Sequence, residues 1–396
     1  MLRFLTAGES HGKALAVIVE GLPAGLPVRV EELAAELARR RLGFGRGPRM
    51  RFEADEVEIL GGVRHGRSLG SPVAVVIANS EWPKWQEEMS VAPGTPARPL
   101  TRPRPGHADL AGMQKYGFAD ARDVLERASA RETAARVAAG YFAKSLLSHL
   151  GVAVVSHTLA IGSAEAPPGR RPGPNDAARV DESEVRCLDA AAAEAMVAAI
   201  KAAAKVGDSL GGVSEVLAYG VPVGLGSHVH YDRRLDGLLA QALMSIQAVK
   251  AVELGEGVEV ARLPGSAAHD PIAYDPAARA YVREGARAGG IEGGISTGSL
   301  LVARAYMKPL ATLNRPVLRT VDVVTKEETV SFKERTDVTS VPALGVVAEA
   351  MVALVLAAEA QRKFGGDSLD ELVTNHAAYL ERVAAERTPS AARPAP

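Results

Sequence analysis

The sequence predicts an α+β fold, a layered sandwich with apolar core helices between antiparallel β-sheets, and three observations lead to it. Four helical segments are rich in Ala and Leu, and their apolar residues cover most of the helix circumference. A helix that is apolar nearly all round must be buried on more than one side. The predicted strands do not alternate regularly with helices, which argues against a doubly wound parallel sheet.

Each predicted strand is rich in Val, Ile or Ala and is bounded by Gly, Pro or polar turn residues. These segments are 14–20, 52–60, 72–78, 152–162, 211–219, 299–306 and 318–325. The four apolar helices are predicted over 129–150, 188–206, 235–250 and 342–362. A further helix is expected to start near Val30 and to end at the glycine run that begins at Gly43.

The composition excludes several classes of protein. The chain has 396 residues and a net charge of -1, which argues against a protein that coats nucleic acid. Its 47% content of hydrophobic residues excludes wholesale disorder. Its single cysteine, Cys187, cannot form an internal disulfide. No segment approaches the roughly 20 uninterrupted apolar residues that span a bilayer, so we expect a soluble, cytoplasmic protein with no membrane partner.

We expect one large domain over residues 1–387. No Ser/Gly-rich linker divides the chain, and the tail 388–396 (TPSAARPAP) is expected to be disordered. Residues 80–105 contain two tryptophans and six prolines and are interpreted as a surface loop that acts as a lid.

The first candidate site is Gly8-Glu9-Ser10-His11-Gly12. It matches the G-x-S-x-G pattern of a hydrolase nucleophile elbow, which gives the hypothesis of a serine hydrolase that uses Ser10. That elbow normally follows a central strand with other strands before it, and here only seven residues precede the motif. The other interpretation is a tight turn that places His11 in a cleft, where an imidazole exchanges a proton.

The second candidate is the arginine-rich segment 39–51 (RRRLGFGRGPRMR). It is neither a dinucleotide fingerprint nor a Walker A loop. A solvated basic helix end is one explanation. Arg46 and Arg49, however, lie beyond the helix in a glycine loop, as expected for side chains that bind an anion.

Two further candidates lie near the start of the helix predicted over 129–150: one precedes it and the other contains its first residues. In 102–109 (RPRPGHAD) a Pro-Gly turn places His107 near a helix N-terminus, either as a cap or as a functional group. In 127–133 (RASARET), Ser129 and Glu132 have the spacing of a capping box. That box leaves Arg127 and Arg131 at the entrance of a buried helix, where an anionic ligand would satisfy them.

The last candidates lie toward the C-terminal end of the sequence. Residues 289–298 contain five glycines, which allow a backbone to lie against a flat or phosphorylated ligand, although a wide hairpin explains them too. Asp337 follows Arg335 and Thr336 in a loop, as a turn residue or as a proton acceptor. His228 and His230 share a strand face, but with no third ligand evident we expect no metal.

Taken in order, these segments resemble the chorismate synthase family. The matching pieces are GESHG, RRRLGFGRGPRM, RPGHADL, ERASARETAARVAAG, SIQAVKAVELG, GGIEGGISTG and RTDVTSVPA, and they span residues 6 to about 343. One departure is Glu292, where an apolar residue is expected between two glycine pairs. The resemblance implies core helices between antiparallel sheets and a homotetramer. It implies the conversion of 5-enolpyruvylshikimate 3-phosphate to chorismate and phosphate, a lyase reaction of the shikimate pathway and aromatic amino acid biosynthesis that needs reduced FMN without net redox change.

The resemblance also implies roles for individual residues. His11 would donate a proton to the leaving phosphate, His107 would stabilise the reduced flavin, and Asp337, helped by Ser10, would relay the ring proton. Substrate and anion binding is implied for Arg40, Arg46, Arg49, Ser129, Arg131 and Arg335. FMN binding is implied for Arg127, Ala128, Ser129, Gln247, Ala248, Gly293, Lys308, Pro309, Leu310, Ala311, Thr312 and Arg335.

Some members of the family reduce their own flavin with NADPH, and others depend on an external supply. No nicotinamide fingerprint is visible in this sequence, so we expect an external flavin reductase and only an indirect role for NADPH. A third hypothesis, an RNA-binding module built on residues 39–51, is disfavoured by the near-neutral charge and the 4% aromatic content.

Overall fold

A computed structural model describes residues 2–47, 55–277, 280–332 and 336–385. Within these ranges two antiparallel sheets enclose a layer of helices. The α+β class and the sandwich arrangement predicted from the sequence are therefore confirmed.

The first sheet is four-stranded, with the order β1-β2-β6-β3. Its strands are β1 (Arg3–Ala7), β2 (Ala14–Glu20), β3 (Val57–Gly61) and β6 (Val73–Ala78), and a small hairpin of β4 (Val63–Arg64) and β5 (Arg67–Ser68) follows β3. Val17 lies opposite Val75 across the β2–β6 pair, and both side chains are buried. Alternate residues of these strands point inward, which is the period-2 pattern of a half-buried sheet.

The second sheet is five-stranded, with the order β10-β15-β9-β7-β8. Its strands are β7 (Ala153–Ile161), β8 (Ala164–Glu165), β9 (Gly212–Tyr219), β10 (Val249–Leu254) and β15 (Leu301–Met307). Besides the β4–β5 hairpin, the described residues form three two-stranded hairpins outside both sheets: β11 (Ile272–Asp275) with β12 (Ala280–Arg283), β13 (Ile291–Glu292) with β14 (Ile295–Ser296), and β16 (Arg319–Val321) with β17 (Glu328–Val330).

The longer helices are α1 (Val30–Arg41), α3 (Asp109–Tyr116), α4 (Arg122–Ala128), α5 (Thr133–Ser148), α7 (Ala190–Val206), α8 (Leu235–Met244), α11 (Val341–Phe364) and α12 (Leu369–Ala385). Short ones are α2 (Trp82–Trp85), α6 (Ala177–Asp181), α9 (Gly257–Val260) and α10 (Gly265–Ala268), and 3₁₀ turns cover Ala130–Glu132 and Tyr231–Arg233.

Helices α5 and α11 form the central layer. α5 packs against β2 of the first sheet, α11 packs against β7 and β9 of the second, and the two helices pack on each other. Their approach is close: a Cβ added to Gly140 would lie 2.3 Å from the Cβ of Ala350. Gly345 likewise faces the hydroxyl of Ser156 on β7, where an added Cβ would lie 2.8 Å from the oxygen. Small residues therefore set the spacing of this layer.

α11 has the length and composition of a membrane-spanning helix, which the sequence analysis did not anticipate. Its 24 residues include an apolar window that is 89% buried inside the protein. The helix itself was predicted, over 342–362, but its likeness to a membrane span was not, because Glu349 and Glu359 interrupt the apolar run. Burial between a helix layer and a sheet explains its composition as that of a core helix.

Glu349 places a buried carboxylate in the middle of α11, and the side chain is 0% exposed. It accepts hydrogen bonds from Arg39 at 2.8 Å, from Lys144 at 2.5 Å and from Arg186 at 3.1 Å. The backbone N–H and hydroxyl of Ser156 donate to it at 2.9 and 2.7 Å. This cluster links α1, α5, α11 and β7, so a single charge ties together helices and sheet.

Two of the four predicted helices differ from expectation. α7 buries only one face, through Ala192, Met196, Ile200 and Ala203. The alanines on its other face remain exposed at little cost, because a methyl group brings only a small apolar area into water. The helix predicted over 235–250 ends at Met244, since Ala248 adopts a positive φ of 67° that an α-helix cannot continue, and strand β10 begins at the next residue.

The predicted strands agree with the structure except at two places. The segment 318–325 forms a strand only over Arg319–Val321. The segment 52–60 begins as a strand at Val57, and 52–54 lie outside the described residues. Strands β1, β8 and β10 of the two sheets and helix α12 were not predicted.

Candidate active site

A cavity of about 470 Å³ brings together side chains that are far apart in the sequence. This volume lies within the range of small-molecule sites, about 300–1,000 Å³. Of the predicted site residues, it is lined by Ser10, His11, Arg40, Arg46, His107, Ser129, Arg131, Gln247, Leu310, Ala311, Thr312 and Asp337. The sequence analysis missed other lining residues, among them Glu81, Trp85, Arg104, Ser340, Met307, Ala343, Leu344 and Val347.

The turn over residues 8–12 presents Ser10 and His11 to this cavity. Gly8 has a φ of +98°, and a Cβ there would lie 2.4 Å from a backbone carbonyl oxygen of the next strand, so the turn requires glycine. The side-chain amide of Asn79 donates to two backbone carbonyls of the turn, at 3.2 and 2.6 Å. The turn is therefore fixed on two sides, by β2 and by the residue that follows β6.

The imidazole of His11 lies between a carboxylate and an indole. Its Nδ1 is 2.9 Å from Oε1 of Glu126, and its ring stacks on Trp85 with 4.0 Å between centroids. Burial alone would raise the pKa of the Glu126 carboxyl, but its hydrogen bonds with His11 and the charge of Arg122 hold that pKa below its usual range. Glu126 is thus an ionised acceptor for His11 at neutral pH.

Two buried arginines, Arg40 and Arg131, meet on the carboxylate of Asp55. Arg40 donates to Asp55 at 3.3 Å, and Arg131 donates to its other oxygen and, at 2.9 Å, to Asn79. Burial opposes the charge of Asp55, but Arg40 and Arg131 hold its pKa below the usual range. Asp55 keeps the two guanidinium groups together, so this part of the site is strongly cationic and fixed in place.

Arg127 and Arg131, at the entrance of α5, already have partners within the protein, which corrects the expectation that they need an anionic ligand. A ligand is not needed to satisfy them, because Arg131 binds Asp55 and Arg127 donates to the carbonyls of Gly8 and Thr6 at 3.1 and 2.8 Å. These partners lie far from the arginines in sequence, so the local motif did not reveal them.

The predicted capping box at the start of α5 is also wrong. The Ser129 hydroxyl accepts from the backbone N–H of Arg131 at 3.3 Å, within a 3₁₀ turn. Glu132 does not reach back to Ser129; its carboxylate accepts from Thr6 at 2.8 Å and from Gln247 at 3.0 Å. The 3₁₀ turn replaces the first α-helical turn and removes the geometry that a capping box needs.

Asp337 holds the glycine loop that follows α1. Its carboxylate accepts from the backbone N–H of Gly47 at 2.6 Å and from the Ser340 hydroxyl at 2.8 Å, and it pairs with Arg46 at 3.0 Å. Arg46 therefore reaches the cavity as the sequence predicted, and its partner there is a second predicted residue.

His107 forms a cluster with Asp109 and Arg104. Its Nδ1 lies 2.5 Å from Oδ1 of Asp109, and Arg104 donates to the other oxygen of that carboxylate at 2.8 Å. Burial would raise the pKa of Asp109, but these hydrogen bonds hold it well below the usual range. Arg104 also donates to the hydroxyl of Thr312 at 2.9 Å. Arg104 and Asp109 both belong to the segment 102–109 that pointed to His107, but the sequence did not show that they contact it.

The predicted flavin residues divide into two groups. Gln247 and Leu310 to Thr312 line the cavity, and the Gln247 carbonyl oxygen is buried with no hydrogen-bond partner among the described residues. The neighbours of lining residues, Ala128, Ala248, Lys308 and Pro309, do not line it themselves. Lys308 donates to the carbonyl of Gly106.

Other predicted residues lie elsewhere. Gly293 is at the tip of the β13–β14 hairpin, and Arg127 lines a second cavity, of about 360 Å³, that shares Gln247 with the first. Arg49 and Arg335 lie outside the described residues. Glu292, the departure from the family pattern, pairs with Arg283 at 2.6 Å on a half-exposed hairpin, so its charge is accommodated.

Comparison with known proteins gives a consistent result. A family model described as chorismate synthase matches residues 2–360. A chorismate synthase of Streptomyces coelicolor is 60% identical over 391 residues, covering 96% of this chain and 98% of the relative. One of Salinispora tropica is 60% identical over 390 residues, covering 96% and 99%.

A solved structure agrees with these relatives. The crystal structure of a chorismate synthase superposes with a TM-score of 0.78 at 40% identity, covering 97% of this chain and 98% of the other. None of these findings supports the serine hydrolase hypothesis for Ser10, whose hydroxyl lies 3.3 Å from that of Ser129.

Proposed function

The chain belongs to the chorismate synthase family, and from that premise we propose that the 470 Å³ cavity is its active site. The protein is a lyase that eliminates phosphate from 5-enolpyruvylshikimate 3-phosphate to give chorismate. One observation carries the proposal: His11, His107, Asp337 and a set of arginines from distant segments meet on a single cavity.

The arginines would bind the anionic substrate. Arg40, Arg46 and Arg131 line the cavity, and two of them are already held by Asp55. A preformed cationic site loses little side-chain entropy when an anion binds, which favours tight binding of a phosphate or carboxylate. Arg49 and Arg335 are proposed as further members of this clamp.

The proton steps would use three side chains. His11 would give a proton to the leaving phosphate and His107 would stabilise the reduced cofactor. Asp337, with Ser10 nearby on the cavity wall, would take part in removing the ring proton. Each of the two histidines has a buried carboxylate at Nδ1. His11 therefore presents Nε2 as the nitrogen that exchanges protons, whereas Nε2 of His107 lies 3.4 Å from the guanidinium of Arg104.

The cavity fits the predicted cofactor, reduced FMN. Met307, Leu310, Ala343, Leu344 and Val347 form an apolar wall for a flat ring, and the carbonyl oxygen of Gln247 is an acceptor in need of a donor such as a ring N–H. We propose that Gln247 and Leu310 to Thr312 hold FMN, with Arg127 to Ser129, Ala248, Gly293, Lys308 and Pro309. When bound in its reduced form, FMN supplies an electron-rich ring against which phosphate is eliminated without net redox change.

The assembly and supply of the cofactor are further parts of the proposal. We propose a cytoplasmic homotetramer of single-domain chains over residues 1–387. The single-domain reading is supported by one cluster of buried apolar side chains that includes both Leu2 and Leu372. We propose that an external flavin reductase, using NADPH, supplies reduced FMN, because the sequence carries no nicotinamide fingerprint.

The reaction is tested by anaerobic incubation of the purified protein with its substrate and chemically reduced FMN. We expect stoichiometric release of phosphate and formation of chorismate, with no product when oxidised FMN replaces the reduced form. Folded protein that binds reduced FMN but releases no phosphate would contradict the proposal.

Gln247→Ala tests the placement of FMN. Loss of one hydrogen bond to the ring is expected to weaken FMN binding about threefold to tenfold. Gln241→Ala, which replaces an exposed glutamine on the preceding helix α8, is the control and should leave the affinity for FMN unchanged. Titration of flavin fluorescence measures both, and equal affinities for the two variants would place FMN elsewhere.

A further inference from the structure

We propose that Glu126 is a positioning residue that holds His11 with Nε2 toward the cavity, and that Trp85 and Arg122 complete this support. The inference rests on the proposed role of His11 as the proton donor to phosphate. It concerns three side chains that the motifs of the sequence did not single out.

Glu126 fixes both the backbone and the ring of His11. One carboxylate oxygen accepts from the backbone N–H of His11 at 2.8 Å, and the other lies 2.9 Å from its Nδ1. The carbonyl of Glu126 accepts from the backbone N–H of Ser10 at 3.0 Å. A single residue of α4 therefore holds the two consecutive residues that the turn presents to the cavity.

These contacts decide which ring nitrogen faces the reaction. An ionised carboxylate only accepts hydrogen bonds, so Nδ1 of His11 carries the hydrogen that is shared with Glu126. Nε2, on the opposite side of the ring, is then the nitrogen that gains and loses a proton during turnover. The ring is 14% exposed and lines the cavity, so the substrate reaches it there.

Trp85 and Arg122 contact each other and also contact His11 and Glu126, respectively. Trp85 stacks on the imidazole at an interplanar angle of 29°, and the guanidinium of Arg122 lies 4.9 Å from the centre of the Trp85 rings. Arg122 also donates to Glu126 at 2.9 Å. Rotation of the imidazole is opposed by the hydrogen bond at its edge and by the indole on its face. Helix α2, which ends at Trp85, thus contributes to the position of His11.

A second buried glutamate that contacts a histidine and an arginine lies away from the cavity, and it provides a control. Glu215, on β9, is 2% exposed and accepts from His157 at 3.1 Å and from Arg304 at 2.9 Å. Neither Glu215 nor His157 lines the cavity. A buried Glu that binds His and Arg is therefore present once beside the cavity and once away from it.

The test compares Glu126→Gln and Glu215→Gln, each alone and each combined with His11→Ala. Glutamine keeps an acceptor but loses the charge and places an NH₂ group against one of the donors. With saturating substrate and reduced FMN, we expect Glu126→Gln to lower kcat about 10- to 100-fold, as for partners that orient a metal-binding histidine. The KM of Glu126→Gln should change less than about twofold. In the His11→Ala background, adding Glu126→Gln should lower kcat by less than about a further twofold.

Glu215→Gln should keep the kcat of the parent protein, because neither Glu215 nor its partner His157 lines the cavity. If Glu126→Gln fails to fold, Trp85→Phe and Trp85→Leu replace it: phenylalanine keeps a stacked ring and should retain most of kcat, and leucine should not.

The outcomes separate this inference from the function on which it rests. Equal losses from Glu126→Gln with and without His11 would mean that Glu126 acts through general stability, and the inference would fail. Unchanged kcat in Glu126→Gln, or equal activity of the two Trp85 variants, would also overturn it. Full activity of His11→Ala would remove the proposed role of His11 itself, and the inference with it.

Discussion

Replacing His11 or His107 by alanine is expected to lower kcat for phosphate release about 10²–10⁴-fold, because each change removes one acid–base group from the cavity. Residual activity should remain, since neither change removes an arginine of the clamp and each leaves the other histidine in place. Phosphate release under anaerobic conditions with reduced FMN measures the effect.

His149→Ala is the matched control for both variants. His149 is exposed at the end of α5 and does not line the cavity, so its replacement should leave kcat within about twofold. Near-normal turnover in both His11→Ala and His107→Ala would show that the proton steps have been assigned to the wrong side chains.

Removal of the Glu349 carboxylate is expected to have the largest effect on stability. Glu349→Ala would leave Arg39, Lys144 and Arg186 without their shared counter-charge in the core. Breaking a buried ion pair from one side costs about 3–5 kcal/mol, a large part of the free energy of unfolding of an ordinary protein. Urea titration followed by circular dichroism measures the difference, with the exposed Glu259→Ala as the control at below about 1 kcal/mol.

The pH dependence of this difference has a defined sign. Burial raises the pKa of Glu349, but the charges of Arg39, Lys144 and Arg186 outweigh it and hold the pKa well below the usual range. A carboxyl whose pKa is lowered by folding stabilises the protein at pH values above its pKa in the unfolded chain, about 4.3. This stability is lost as the pH falls through the pKa of the carboxyl in the folded protein. The parent and Glu349→Ala should therefore differ fully at pH 7 and converge only well below about pH 4. A constant difference down to pH 2 would contradict this account.

The fold class could be predicted because α5 and α11 carry apolar residues all round, and only burial on two sides explains that pattern. The same reasoning failed for α7, where alanine makes a surface helix look apolar. It failed again after Met244, because the positive φ of Ala248 is a tertiary feature of a residue that ordinarily favours helix.

The site could be predicted where a motif carries its own chemistry. His11, His107, Asp337 and Arg46 stand in distinctive glycine-, proline- or arginine-containing segments, and all four line the cavity. Arg104 and Asp109, which support His107, stand in the same motif, but the residues that support His11 had no such signal. Glu126 is 115 residues from His11, and in a charged helix it looks like any surface carboxylate. Pairing over such distances is decided by the packed fold, which single-sequence patterns do not encode.

The position of α11 in the chain has a consequence for synthesis on the ribosome. The helix on which α5 packs ends at Phe364, and the whole second sheet is translated between the two. At bacterial or eukaryotic elongation rates, roughly 5–20 residues per second, the apolar face of α5 waits on the order of ten seconds or more for its partner. Nascent chains that have not yet reached the end of this helix therefore expose an apolar surface that chaperones can bind, and the core is completed only after α11 has left the exit tunnel.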